Sequence, residues 1–260
     1  GEAGYALDSV PEFGGSAIEF GLSAPFTVEY HDSIGSTNQR ARELAEAGEK
    51  NTVVVADRQT GGRGRLDRQW SSPSGGIWLS VLLRPAVPAV HAPLFTLAAA
   101  VATTRAVRAC GVEATIKWPN DVQVEGRKLA GILTEMEGEA DRISWLVVGI
   151  GLNANVDATQ LPGDRPATSL RAETGDINRR DLTQHLLETF WELSEGTDSI
   201  LPAWRELTST LGQRVRVETR TEEIVGEAVG IEFPGSLIVD TGTEKRTVSA
   251  GDCEHLRPAE

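Results

Sequence analysis

Ile116-Lys117-Trp118-Pro119-Asn120-Asp121, followed a few residues on by Arg127-Lys128-Leu129-Ala130-Gly131-Ile132-Leu133, packs a strand, a polar corner and a second strand into very little chain. Thr115 to Trp118 predicts a short strand, and Pro119 ends it in a corner, because proline fixes its own φ and removes a ladder donor. Gly126 marks a hairpin-like turn, and Lys128 to Glu137 predicts the returning strand. Trp118 reads as core. Lys117 and Asp121 read either as an exposed ion pair, which would stabilise little, or as polar groups presented by the corner. Lys128, at the head of an apolar strand, either snorkels to water or reaches a ligand.

Upstream, Thr27 to Tyr30 and the β-branched run Thr52 to Ala56 predict strands. A helix lies between them from Ser36 to Ala47, capped by Ser36 or Thr37 and closed by Gly48. Ile77 to Leu83 predicts another strand, and Leu94 to Ala109 a long amphipathic helix ending at Gly111. Downstream, Trp145 to Leu152 reads as a buried strand, Asp157 to Asp176 as a loop and Arg180 to Glu195 as a helix, resumed from Leu201 to Leu207. From about Leu211 to Arg257 the chain breaks into short strands, Val215 to Glu218, Ile224 to Ile231, Leu237 to Asp240 and Arg246 to Ser249, separated by Gly and Pro turns. This order predicts an α+β fold: a mixed or antiparallel sheet packed with helices over residues 27–208, then a small β-barrel over 211–257. Residues 1–26, rich in Gly without a clear period, read as an N-terminal extension or linker.

A chain of 260 residues, 40% of them hydrophobic, can bury a sizeable core. The longer apolar runs are interrupted or too short to cross a bilayer, and no basic-then-apolar leader is visible. No membrane partner is therefore expected, and the cytoplasm is the expected compartment. Cys110 and Cys253 are too few and too far apart to suggest a disulfide framework or a zinc site. The formal charge of -13 argues against a basic surface for nucleic acid or anionic lipid. An anionic ligand must then find a locally basic pocket. Lysine is confined to Lys50, Lys117, Lys128 and Lys245 among plentiful Arg, Asp and Glu, a bias that suits a salt-rich cytoplasm as well as an ordinary acidic protein.

A candidate for that pocket is Gln59-Thr60-Gly61-Gly62-Arg63-Gly64-Arg65-Leu66-Asp67-Arg68-Gln69-Trp70. Glycines let backbone approach a ligand closely, and guanidinium forks bind carboxylate or phosphate oxygens bidentately. A flexible surface loop with solvated arginines is the bland alternative. The stretch is not the phosphate loop of nucleotide hydrolases, since no Gly-Lys-Ser or Gly-Lys-Thr follows.

Together these stretches resemble the catalytic domain of biotin protein ligases. Asp32-Ser33 with Ser36-Thr37-Asn38, the Gly-Arg-Gly-Arg loop, Lys-Trp-Pro-Asn-Asp, Arg-Lys-Leu-Ala-Gly-Ile-Leu and Gly149-Ile150-Gly151-Leu152-Asn153 occur in that family's order and approximate spacing. The resemblance runs from about Tyr30 to Arg257. It implies a catalytic domain like that of class II aminoacyl-tRNA synthetases, with an SH3-like domain behind it. It also implies a two-step reaction: biotin's carboxylate attacks the α-phosphate of ATP, pyrophosphate leaves, and a lysine of a biotin carboxyl carrier protein domain of an acyl-CoA carboxylase captures the acyl-adenylate. By the family's pattern Arg65, Lys128, Lys117 and Asp121 carry the chemistry. Ser36, Thr37, Asn38, Gln59, Arg63, Gly64, Arg65, Trp70, Lys128, Gly131 and Leu133 hold biotin, with Trp70 equally readable as plain core packing. Arg63, Arg65, Arg68, Lys117, Asn120 and Asn153 hold the nucleotide. Mg2+ is expected as activator, with no ligands assigned.

His31, His91, His185 and His255 read as structural or surface residues, because the nucleophile comes from the partner. Leu66-Asp67 departs from the pattern by bringing an acid into a loop that is often more basic. Lipoate or octanoate transfer is the rival reading within the fold, and the resemblance leaves a homodimer open. Some family members carry an N-terminal DNA-binding wing, and Gly4-Tyr5-Ala6-Leu7 with Pro11 resembles the exit from one. The start at Gly fits a shortened chain, and DNA binding by these 260 residues is not expected.

Overall fold

The corner and hairpin anticipated around Gly126 organise the middle of the molecule. In the computed structural model, which describes residues 13–162 and 166–256, Glu125 and Gly126 adopt φ of 50° and 77°. Positive φ at both central residues gives the tight turn whose twist matches a right-twisted hairpin. It joins β5 (Asp121–Val124) to β6 (Arg127–Glu139). With β1 (Thr27–His31), β2 (Thr52–Ala56), β3 (Ile77–Leu83), β4 (Thr115–Lys117) and β7 (Arg142–Leu152), they form a seven-stranded sheet in the order β1-β2-β3-β7-β6-β5-β4. Only β1 and β2 run parallel, so the sheet is mixed, as expected. A parallel pair needs a crossover, and α2 (Thr37–Glu46) supplies it, with the Ser36 hydroxyl accepting from Gln39 N and Gly48 turning the chain at φ 92°.

One face of the sheet packs on α3 (Ala92–Ala109), with α5 (Arg179–Glu195) and α6 (Ile200–Leu207) behind it. Covered on several sides, α3 is apolar almost all round. It is the one stretch among the described residues long and apolar enough to span a bilayer, and most of it is buried within the fold. On the opposite face α2 covers Val54, Leu82 and Val147 through Ala41 and Ala45. Burying such side chains contributes roughly 1.5–3 kcal/mol each. Beyond α2 this face stays open.

The C-terminal strands β8 (Arg214–Glu218), β9 (Glu223–Glu232), β10 (Ser236–Asp240), β11 (Lys245–Val248) and β12 (Asp252–His255) form a five-stranded antiparallel sheet, ordered β11-β10-β9-β8-β12. This is the arrangement expected of a small SH3-like unit. Its inward residues, among them Val217, Ile231 and Val239, join the main core. Trp118 cements the junction: its indole N–H donates to Gly235 O at 3.0 Å, and its backbone N–H to Thr210 Oγ1 at 2.9 Å.

The structure departs from the sequence reading in four places. β5 alternates Asp-Val-Gln-Val in a stretch the sequence reading leaves unassigned, and β12, Asp-Cys-Glu-His, shows almost no apolar pattern. The stretch Asp157 to Asp176 contains α4 (Leu170–Thr174), capped by the Ser169 hydroxyl at Ala172 N. Residues 13–26 are not a free linker. They form α1 (Gly15–Glu19), with Ile18 wholly buried and Phe13, Ala24 and Phe26 in the core. Glu19 accepts from Val28 N on the edge strand at 3.0 Å, and Glu188 from Ser23 N and Ala24 N. Those apolar residues are irregularly spaced among glycines, so no period betrays them. Gly4 to Leu7 and the boundary at Arg257 lie outside the described residues.

Candidate active site

The open face of the sheet is floored by glycine. Strand register lines up Ser80 with Gly149 and Gly149 with Leu133, and two pairs further along Trp78 with Gly151 and Gly151 with Gly131. A Cβ on Gly149 would overlap Asn38 Oδ1, one on Gly151 would overlap Trp70 Nε1, and one on Gly131 would meet both Trp70 and Lys128 at 3.2 Å. Side chains arriving from α2 and from the Arg-rich loop can therefore lie flat on the sheet. Around them opens a cavity of about 1090 Å3.

One end of the cavity is neutral and polar. Gln59 Oε1 accepts from Thr37 N at 2.8 Å, which fixes its amide, and Gln59 Nε2 donates to Ser72 Oγ at 2.9 Å. Ser80 Oγ lies 2.8 Å from Thr37 Oγ1 and 2.6 Å from Asn38 Oδ1. Asn38 Nδ2 donates to Leu133 O at 3.3 Å and to Glu135 Oε2 at 2.8 Å. Ser36, Thr37 and Asn38 are all buried at the start of α2, where capping demands short polar residues.

The other end is basic. The loop closes on itself through Gly64 N to Arg68 O and Trp70 N to Gly62 O, with Leu66 at φ 55°. Gly62 is required there, because a Cβ would overlap Trp70 O. Arg65 donates to Asn120 Oδ1 at 3.1 Å and to Gly251 O at 3.2 Å, and Arg68 pairs with Asp252 at 2.6 Å. Two of these contacts come from the C-terminal sheet. Burial lowers the pKa of Arg65 from the ordinary guanidinium range, though a guanidinium stays charged at neutral pH. Lys128 Nζ sits 2.7 Å from Asp121 and 5.1 Å from the Trp70 ring centre, so it neither snorkels away nor stands alone. Asn120 Nδ2 donates to Ile132 O at 2.8 Å, and Asn153 Nδ2 to Thr168 O at 2.9 Å. Two buried atoms of the lining, Trp70 Nε1 and Asn153 Oδ1, have no hydrogen-bond partner among the described residues. An unpaired buried polar atom is costly, which is expected where a ligand completes the bonding.

Ser36, Thr37, Asn38, Gln59, Arg63, Gly64, Arg65, Arg68, Trp70, Asn120, Asp121, Lys128, Gly131, Leu133 and Asn153 thus line one cavity. Lys117 does not. It faces Asp121 across the β4–β5 hairpin in register, and its charge is felt at Cys253 and His255 in the C-terminal sheet. Sequence reasoning missed Ser80, Glu135 and the contribution of Gly251 and Asp252. A lone serine inside Ile-Trp-Leu-Ser-Val-Leu-Leu was the available signal for the first. Both cysteines are free, none of the histidines reaches the cavity, and no group of three or more His, Cys, Asp or Glu side chains converges among the described residues.

Comparison with known proteins agrees with this geometry. The biotin/lipoate A/B protein ligase family matches residues 30–153, and the biotin protein ligase C terminal domain matches residues 210–256. The bifunctional ligase/repressor BirA of Bacillus subtilis is 37% identical over 96% of this chain and 82% of its own. The biotin--[acetyl-CoA-carboxylase] ligase of Paracoccus denitrificans is 34% identical over 84% of this chain and 95% of its own. Among solved structures, the biotin protein ligase of Aquifex aeolicus in complex with biotin and ATP superposes with a TM-score of 0.75 at 27% identity, covering 88% of this chain and 99% of that one. With the same two units in the same order, and relatives matched over most of their length, this chain belongs to the biotin protein ligase family.

Proposed function

We propose that the protein joins biotin to ATP, forming biotinyl-5'-AMP and pyrophosphate, and then passes the biotinyl group to a lysine of a biotin carboxyl carrier domain. The observation that carries this reading is a single cavity with a neutral, hydrogen-bonding end and a basic end, joined over a glycine floor. Biotin's ureido ring offers an oxygen and two N–H groups, which Thr37, Asn38 and Gln59 are placed to answer. A dithiolane ring has no such groups, so the polar end favours biotin over lipoate.

Two anions have to meet at the other end. Arg63, Arg65, Arg68 and Lys128 offset their repulsion and the charge that grows on the transferring phosphoryl group. The biotin carboxylate oxygen bonds to the α-phosphorus as the bond to the pyrophosphate oxygen breaks. In the second step the acceptor amine attacks the acyl carbon, AMP leaves, and the amine proton passes to a base. Asp121, already paired with Lys128, is the carboxylate placed to receive it. An ammonium with a pKa near roughly 10.4 must lose a proton before it attacks.

Magnesium fits this site only as a companion of the nucleotide, since no cage of protein carboxylates exists among the described residues while Asp121 and Asp252 both line the cavity. When bound with the triphosphate it would offset phosphate charge. Lys117, outside the lining, supports the corner from the interdomain side. Residues 27–208 are the catalytic unit in this reading and 211–257 its C-terminal support. The cytoplasm is the compartment we propose for this reaction.

The test is incubation with biotin, ATP, magnesium and a carrier domain, followed by mass measurement of the acceptor. Lys128→Ala and Arg65→Ala should each slow adenylate formation by about 100-fold, the usual cost of removing one group that stabilises developing charge. Asp121→Asn should slow transfer more than adenylation, and normal transfer by that variant would exclude it as the base. Failure of the wild-type protein to release pyrophosphate would remove the whole reading.

A further inference from the structure

We infer that Lys128 is a latent acyl acceptor inside the enzyme's own cavity and that Asp121 masks it, holding the amine as an ammonium while the activated acyl group waits for the carrier lysine. The inference rests on the biotinyl-adenylate reading above and adds to it how the site avoids acylating itself. Of Lys50, Lys117, Lys128 and Lys245, only Lys128 lines the cavity. Its Nζ lies over the glycine floor, 3.3 Å from where a Cβ on Gly131 would stand, and the Trp70 ring comes within 3.2 Å of the same point. That floor joins the neutral end of the cavity to the basic end. The carbon that links an acid held at one end to a phosphate held at the other therefore sits above it, and the nearest amine is the protein's own.

Lys128 is held there by its backbone as well. Its N–H donates to Pro166 O and its carbonyl accepts from Thr168 N, both at 2.9 Å, which pins the head of β6. A mixed anhydride reacts with free amines, and an amine held against it reacts as if present at roughly 10^5 M or more. An ammonium has three donors and no lone pair, so it can grip a carboxyl oxygen without attacking the carbon. Neighbouring charge decides which form is present. Arg63, Arg65 and Arg68 crowd the same cavity and disfavour a further cation, while Asp252 is paired with Arg68 at 2.6 Å. Lys117, in register with Asp121 across the β4–β5 hairpin, stands outside the lining. Asp121, 2.7 Å from Lys128 Nζ, is the carboxylate in direct contact, and an opposite charge that close favours the charged amine.

Without that charge the site turns on itself. The lone pair of Lys128 Nζ bonds to the acyl carbon, the bond from that carbon to the phosphate oxygen breaks, and AMP leaves with the electron pair. The surplus amine proton passes to solvent. The product is an amide on Lys128, which removes the cation needed for the next adenylation and so inactivates the chain. The guanidinium groups around it carry no such hazard, because they stay protonated and offer no lone pair.

The test supplies synthetic biotinyl-5'-AMP to the purified protein without ATP or acceptor, so that it does not depend on how fast a variant makes its own adenylate. Intact mass and peptide mapping follow the label. Wild-type protein should stay unmodified at Lys128 and still pass biotin to a carrier domain added afterwards. Asp121→Asn keeps the shape and a hydrogen bond but not the charge. It should gain a biotinyl group on Lys128 at least about 100-fold faster than the wild type, with matching release of AMP. Asp121→Ala should do the same, and adding Lys128→Arg to Asp121→Asn should abolish the label. An Asp121 that merely held the strands together would lower the melting temperature without creating a new amide. Lys128 left unmodified in both Asp121 variants overturns the inference. So does a wild-type protein that acylates Lys128 as quickly as they do, or a label that falls on Lys50 or Lys245 instead. A wild-type protein that neither releases pyrophosphate from biotin and ATP nor transfers from the supplied adenylate overturns the functional reading, and this assignment with it.

Discussion

Lys128 shows how much of the site could be read from single residues. A lysine heading an apolar strand has two readings, and the 2.7 Å pairing with Asp121, 5.1 Å from the Trp70 ring centre, places it in the cavity lining rather than out in water. Arg65, Gln59 and Asn38 were legible for the same reason: polar or charged residues at the edges of apolar segments need an explanation. Ser80 and Glu135 were not, because each sits inside a run whose neighbours set its reading, and their roles come from three strands and a helix meeting in space. Glycines were legible as a motif but not as a cause. Gly149→Ala makes the cause testable. The added methyl would displace Asn38 Oδ1, so affinity for biotin should fall tenfold or more while the KM for ATP changes little. Overpacking should also cost about 1–3 kcal/mol of stability. Undiminished biotin affinity in titrations of that variant would mean that Asn38 does not need the floor.

At the level of elements, regular segments were the easy part. The β-branched and apolar runs of β2, β3 and β7, and the capped helix α2, follow from periodicity and end signals. Short or polar elements such as α1, β5 and β12 did not, since pairing partners rather than their own pattern stabilise them. The Arg-rich loop lies between these cases. Its glycines foretold freedom, yet here it is folded, with Arg65 and Arg68 resting on Gly251 and Asp252. Biotin and ATP would offer those guanidinium groups carboxylate and phosphate oxygens instead, so amides from Gly61 to Arg68 should gain protection from hydrogen exchange when both bind. Exchange that is unaltered by ligand would argue for a rigid loop. β12 gives a second prediction. Burial, aided by the charge of Lys117, lowers the pKa of His255 from its ordinary 6.5, and its ring lies 3.2 Å from Thr210 Oγ1. The neutral form is therefore the folded form. As pH falls below about 6.5 the unfolded chain takes up this proton first, so stability should drop there and level off once the folded ring protonates too. His255→Gln should flatten that part of the melting profile, and an identical profile would show that other groups are responsible.

For the whole molecule, composition and order were enough to foresee an α+β body followed by a small β unit, because layered folds are few once the elements are known. What they could not foresee is that the second unit helps to build the cavity. That depends on how the two sheets dock, through Trp118 on Gly235 and Arg65 on Gly251, between residues far apart in the chain. The charge distribution has the same character. A total of -13 is spread over a surface rich in carboxylates, while Arg63, Arg65, Arg68 and Lys128 concentrate positive charge at one mouth. Most ion pairs on the surface are half exposed, such as Arg216 with Glu254 and Arg246 with Glu222, and pairs of that kind contribute little. Repulsion among the unpaired carboxylates acts over longer distances and is the term that salt removes, as the screening length falls from about 10 Å at 0.1 M to about 3 Å at 1 M. Raising potassium chloride across that range should therefore raise the melting temperature, with the change levelling off as the repulsion is screened. A melting temperature that falls instead would mean that the surface pairs outweigh the net charge. Full stability and full ligase activity at low salt would show that the acidic surface is not an adaptation to a salt-rich cytoplasm.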